Sequence, residues 1–244
     1  CYYEPLHESY DTNDLIVIDA KEVQDRLRHS DIGGSYMKEY DGLWSEAAPG
    51  IQGFDRRFAF HPFDAANDPG PYLENLISKS PKSKVLFQPC RSPFRLAYLT
   101  ERFPDAQHFF LKRHPADQFR SYNLNDYFMP THLAYACLQP GLRRELEARF
   151  PAVVRHSEIE ALESRGSVAS DLRHHFAPIL AGSAPSVCRA IFDFFWEAAL
   201  EDAERAGVTI VNVDDVAELR TVFAPFGVVF EDFKAKHSGH DQRS

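Results

Sequence analysis

This chain has few of the features that staple, anchor or broadly charge a protein. Its four cysteines, Cys1, Cys90, Cys137 and Cys188, form no CxxC pair and no Cys/His zinc spacing. That argues against a zinc module and predicts a reduced, metal-free protein of the cytoplasm, with a disulfide left open. No apolar run approaches the roughly 20 residues that span a bilayer, so no membrane segment is expected in the chain. No charged stretch followed by an apolar one marks a signal peptide, although the chain starts at Cys1, not Met, and a targeting segment could precede it. Positive charge is in deficit: 27 Lys and Arg stand against 36 Asp and Glu, a net charge of −9. A non-specific nucleic-acid binder needs a basic face to release counterions, so that class is disfavoured, whereas a local basic pocket for one anion is not. Phosphate-cradling loops are missing as well. There is no GxxxxGK[ST] and no Ser-Gly-Thr-Thr-like run, and the one Gly pair, Gly33-Gly34, follows no convincing strand.

What is present is apolar matter in quantity. Hydrophobic residues make up 44% of the 244, including 20 Phe, which excludes disorder of the whole chain. The length fits one α/β domain, the expectation here for 1–244, or two small ones.

Residues 15–18 are apolar and β-branched and stay ambiguous between strand and helix. Residues 30–50 and 61–71 read as loops from their Gly, Pro and Asp content, with a possible short strand over Arg57–Phe60. Tyr72–Ser80 reads as a helix stopped by Pro81. A strand is predicted over Lys84–Gln88, a helix over Pro93–Phe103 and a strand over Gln107–Lys112. A helix then opens at Pro115, with Asp117 in its first turn. Residues 130–182 read as a helical insertion broken by Pro and Gly. Ser186–Ala206 carries the clearest apolar stripe and stops at Gly207, and Val208–Val213 is a strand. Residues 234–244 form a polar tail. Strand and helix alternating at this rhythm predict an α/β fold, a parallel sheet flanked by helices.

The densest chemical signal is Lys84–Tyr122. Arg113 ends one strand and Ser121 lies eight residues on, inside the next helix. A guanidinium at a sheet's carboxyl edge beside a helix start suits an anion. It equally suits a salt bridge to a nearby carboxylate, with Ser121 on a solvated face. Among the histidines, His61, His174 and His175 read as surface residues. Trp196 with Phe192, Phe194 and Phe195 reads as core.

The run FPDAQHFFLKRHPADQFRSY resembles the sulfotransferase segment in which a helix ends in Phe-Pro-Asp-Ala, a strand follows, and Arg-x-Pro has a Ser eight residues beyond the Arg. The opening CYYEPLHE is similar to the Tyr-Glu-Pro-Leu stretch of bacterial and Golgi-type members of that superfamily. A weaker likeness joins the helix with Trp196, its following strand and Asp214-Asp215. The better matches cover residues 1–8 and 84–122. They imply a sulfotransferase/P-loop NTPase-like sheet and the cofactor PAPS, 3′-phosphoadenosine-5′-phosphosulfate, with no metal. Under that resemblance Arg113 and Ser121 hold the 3′-phosphate, and Lys234 stands near the closing basic stretch that also touches it. Glu4 is the base taking the acceptor's proton, or else pins the Tyr-Glu-Pro turn, and His7 is a second candidate base. Where cytosolic members present Lys-Thr-His, this chain has Gln88-Pro89-Cys90-Arg91. Arg91 either steadies charge on the sulfonate or bridges to a loop carboxylate. The family's first strand and phosphosulfate loop are expected upstream of Cys1, and either a longer polypeptide supplies them or the chain lacks them.

The function implied is sulfonate transfer from PAPS to a small-molecule or carbohydrate hydroxyl, or to an amine, with acceptor choice in residues 30–70 and 125–182. A catalytically inactive binding protein on the same fold is the alternative. A third reading is a P-loop phosphotransferase on a nucleoside or sugar, which would use Mg²⁺ held by a loop Ser/Thr and a strand-end Asp; no strand preceding Asp214-Asp215 is placed for that job.

Overall fold

A computed structural model describes residues 2–3, 5–6, 43–45, 48–81, 83–89, 91–122, 128–163 and 168–227. Within them, six short strands pair two by two. Strand β1 (Tyr2–Tyr3) runs parallel to β4 (Phe87–Gln88), with Tyr2 opposite Phe87. Strand β5 (Phe109–Lys112) runs parallel to β6 (Thr209–Asn212), with Phe109 opposite Thr209 and Lys112 opposite Asn212. Strands β2 (Trp44–Ser45) and β3 (Ala48–Ile51) form an antiparallel ladder. The expected parallel sheet is thus represented by two separate two-stranded parallel ladders among the described residues.

Helices make up most of the rest. They are α1 (Gly70–Lys79), α2 (Leu96–Arg102), α3 (Pro115–Tyr122), α4 (Phe128–Cys137) and α5 (Pro140–Arg149). They continue with α6 (His156–Glu163), α7 (Val168–Ala181), α8 (Pro185–Arg205) and α9 (Val216–Phe223). Their ends follow local chemistry. Helix α1 opens with the Gly70 N–H donating to Asp68 Oδ1 at 2.8 Å. Helix α8 starts at a Pro whose missing N–H costs nothing there, and it closes before Gly207, which takes φ +67°. Helix α9 is capped by Asp215, which accepts the N–H groups of Ala217 and Glu218, both at 3.0 Å.

Three clusters of buried side chains hold these elements. The largest surrounds α4, which is buried from Met129 to Cys137 except at the half-buried His132 and packs against Leu146 of α5, Ile159 of α6, Leu172 and Phe176 of α7, and Ile191 and Phe192 of α8. A helix apolar on every side belongs at a bundle's centre. A second cluster gathers Leu6, Ile51, Phe58, Tyr72, Leu76 and Leu99. The Tyr72 hydroxyl there donates to the Pro5 carbonyl at 2.8 Å. The third joins Leu96 of α2 to Ala203 and Val208. No helix among the described residues is long and apolar enough to cross a membrane.

Three expectations are corrected. The strand expected at Arg57–Phe60 is a 3₁₀ turn over Arg56–Ala59. Asp55 caps it, accepting the Arg57 N–H at 2.8 Å and the Arg57 guanidinium at 2.6 Å. Part of the loop expected over 30–50 is the β2–β3 ladder. The helix expected from Pro93 starts only at Leu96, because Phe94 adopts φ +67° and breaks the helical path.

Candidate functional site

Two strand-to-helix crossings carry the residues of interest. At the first, β5 ends at Lys112 and α3 begins at Pro115, leaving Arg113 and His114 at the strand's carboxyl edge. The neighbouring strand β6 ends beside them. There Asp214 accepts the His114 N–H through Oδ2 at 2.7 Å, and its Oδ1 lies 3.5 Å from Arg113 Nε. Both partners of that ion pair are well exposed, Arg113 at 51% and Asp214 at 37%. The carboxylate that the plainer reading of Arg113 required is therefore present, on a strand-end about a hundred residues away in sequence. The His114 carbonyl accepts the N–H groups of Asp117 and Gln118, each at 3.0 Å, which fixes the first turn of α3. Ser121 lies in the last turn of that helix. Phe119 and Tyr122 seat the helix on Phe192 of α8, with ring centroids 5.3 and 5.2 Å apart.

At the second crossing, β4 leads through residues 89–95 into α2. Arg91 is 8% exposed, with its guanidinium 5.6 Å from the Phe60 ring centroid. Arg95 is 3% exposed and spreads its fork over backbone carbonyls. It donates to Phe58 at 2.6 Å, His61 at 3.1 Å and Ala59 at 3.4 Å, and also to the Arg91 carbonyl. The same guanidinium lies 4.1 Å from the Phe63 ring centroid and 4.9 Å from that of Tyr135. The buried Tyr135 hydroxyl donates to the Pro93 carbonyl, and burial pushes this phenol up to about 12. Asp202 of α8 is 8% exposed and receives the Leu96 N–H at 3.5 Å; a hydrogen bond from the Phe94 backbone also lowers its pKa. Burial nonetheless raises its carboxyl above the usual range. These contacts over-determine the loop and hold Phe94 in its left-handed conformation.

Phe94 and Asp202 line a cleft of about 330 Å³ between α5 and α8. A second cleft, lined by Asp64, Asp68, Tyr98, Glu101 and Arg102, lies beside α2. Arg113 lines neither of them. Among the described residues no group of three His, Cys, Asp or Glu side chains could hold a metal ion.

The candidate residues thus fare differently. Arg113 and Ser121 fall on one strand-to-helix crossing, and Arg91 is packed inside the other. Glu4, His7 and Lys234 lie outside the described residues. Trp196 packs beside the largest core cluster. His174 is exposed, whereas His175 is partly buried, with Nε2 3.3 Å from Glu158 Oε2. Sequence reasoning passed over Arg95, Phe94 and Asp202. For Asp202 a signal existed: it continues the stripe Ile191, Phe195, Ala198 at helical spacing, so a carboxylate sits in phase with an apolar face. No protein-family model, curated protein or solved structure matches the chain.

Proposed function

We propose that the chain is a PAPS-dependent sulfotransferase domain that moves a sulfonate to a hydroxyl or amine acceptor. One observation carries the reading: Arg113 stands exposed at the carboxyl end of a parallel ladder, and the helix that starts two residues later carries Ser121. Strand ends opening onto helix starts are where α/β proteins receive anionic cofactors. In this reading Arg113 exchanges Asp214 for the 3′-phosphate, and Ser121 adds a hydroxyl donor. Glu4, or His7 in its stead, takes the acceptor's proton as its oxygen attacks sulfur in line, and Lys234 adds positive charge at the phosphate.

The test is calorimetric titration of the chain with 3′-phosphoadenosine-5′-phosphate. Saturable binding is expected. Arg113→Ala should weaken it by about 10–100-fold, the worth of a charge-assisted hydrogen bond. Absence of binding, or an unchanged affinity in Arg113→Ala, would overturn the reading.

One observation favours the second reading, a binding protein without turnover. Arg91, the cation assigned to the sulfonate, is buried against Phe60. Tight binding of the bisphosphate without transfer of labelled sulfonate from PAPS to a phenol or an amine would select it.

A further inference from the structure

The cleft between α5 and α8 sits outside the cofactor residues and is built from one stripe of each helix. On α8 the lining residues follow helical spacing from Phe194 through Glu197 and Glu201 to Arg205. Helix α5 contributes its first turn, Glu145 and Arg149. Arg149 ties the two walls, lying 4.9 Å from the Phe194 ring centroid and 3.4 Å from Glu145. At about 330 Å³ the space falls within the range of small-molecule sites. Its accessible apolar surface comes from Phe94 and Leu142, both half-buried, since Phe194 is buried beneath Arg149, so a flat hydrocarbon body has a face to lie against. Phe94 is held in place by the clamped loop described above and does not need to be ordered by a ligand.

Charge then selects the ligand. Four carboxylates line the cleft against two guanidinium groups. Arg149 is engaged with Glu145, and Asp202 is engaged with the loop backbone. That leaves Arg205, whose charge acts on Asp202, and two carboxylates, Glu197 and Glu201, exposed and one turn apart, with no hydrogen bond or ion pair among the described residues. Two like charges at this helical spacing repel, and a cation between them relieves the repulsion. An anionic ligand would meet the opposite balance.

We propose that this cleft binds a small molecule with a cationic amine on an aromatic or similarly flat apolar body, at a site separate from the residues assigned to the nucleotide. The ammonium sits at Glu197 and Glu201, and the apolar body lies against Phe94 and Leu142.

The experiment is calorimetric titration of the full chain with tyramine and, separately, with 4-ethylphenol, which lacks the amine. Tyramine is expected to saturate below about 1 mM, at least tenfold tighter than 4-ethylphenol. The double substitution Glu197→Gln, Glu201→Gln should remove that difference. Gly141→Phe is the independent variant. A Cβ at Gly141, on the rim, meets nothing within 4 Å, so the fold accepts a side chain there while its ring fills the cleft. It should abolish tyramine binding with an unchanged thermal midpoint. Arg113→Ala should leave tyramine binding intact. No saturation by tyramine, equal affinity for 4-ethylphenol, or indifference to both cleft variants overturns the proposal even where the bisphosphate binds. Tyramine binding in a chain that shows no bisphosphate binding sustains this proposal while the sulfotransferase reading falls.

Discussion

The two strand-to-helix crossings carry the same residue type to opposite ends. Behind β4, Arg95 is sealed among four backbone carbonyls and two aromatic rings. Behind β5, Arg113 stands half in water beside a single carboxylate. The first guanidinium replaces its hydration shell with fixed protein oxygens, and its removal would strand them. The second keeps most of its hydration and can change partners at little cost. An arginine at a strand end is therefore no site marker in itself. What marks a site is a cation whose present partner an incoming anion can replace, and by that measure Arg113 qualifies and Arg95 does not.

The largest expected effect breaks the sealed crossing. Arg95→Ala leaves the carbonyls of Phe58 and Ala59 without the guanidinium donor, leaves that of His61 with only Asn67 Nδ2 at 3.5 Å, and opens a void under Phe63 and Tyr135. A loss of about 3–5 kcal/mol in urea unfolding is expected, the scale of removing one partner from a buried charged network. Arg95→Lys should recover only part of it, since an ammonium cannot reproduce the planar fork. A loss below about 1 kcal/mol would place Arg95 with ordinary surface arginines and erase the contrast.

A smaller effect concerns Asp202 beneath the same loop. Its carboxyl is raised above 3.8, first by burial, against the opposing pull of the Leu96 and Phe94 backbone and of Arg205. The folded chain then holds a proton there at pH values where the unfolded chain has released it. The contribution of Asp202 to stability is accordingly greatest below the ordinary carboxylate range and falls as pH rises through the raised value. Asp202→Asn lacks that dependence. Urea midpoints of both proteins across the acid range should show the advantage of the parent shrinking as pH rises. An advantage that grows with pH would mean that the loop amides hold Asp202 as an anion.

The contrast between the crossings was only half legible in the sequence. Helices with strong local signals came through: α1 ends just before Pro81, α3 opens at Pro115 with Asp117 in its first turn, and α8 closes before Gly207. Strand lengths did not. The apolar run at Lys84–Gln88 narrows to Phe87–Gln88, where Tyr2 and Tyr3 pair with it, because a ladder extends only as far as its partner does. Arg113 and Ser121 could be read because eight residues of local chain relate them. Asp214 could not be joined to His114, a hundred residues away, nor Arg95 to carbonyls more than thirty residues upstream. Such contacts are products of packing, and periodicity carries no trace of them.

The smallest effect is the most informative about the exposed crossing. Asp214 does two things at once: it accepts the His114 N–H at 2.7 Å, and it neutralises Arg113 at 3.5 Å. Asp214→Asn separates them, since the amide oxygen still accepts from His114 while the charge disappears. Between groups this exposed the pair is worth about 0–1 kcal/mol, so the thermal midpoint of either Arg113→Ala or Asp214→Asn should move little. Affinity for 3′-phosphoadenosine-5′-phosphate should respond in opposite directions. Arg113→Ala loses it, and Asp214→Asn gains roughly two- to fivefold, because the phosphate no longer competes with a carboxylate for the same guanidinium. Loss in both variants would mean that Asp214 aims Arg113 at the anion and acts with it. Change in neither would make the pair a tie between two strands, and the anion site would have to be sought elsewhere.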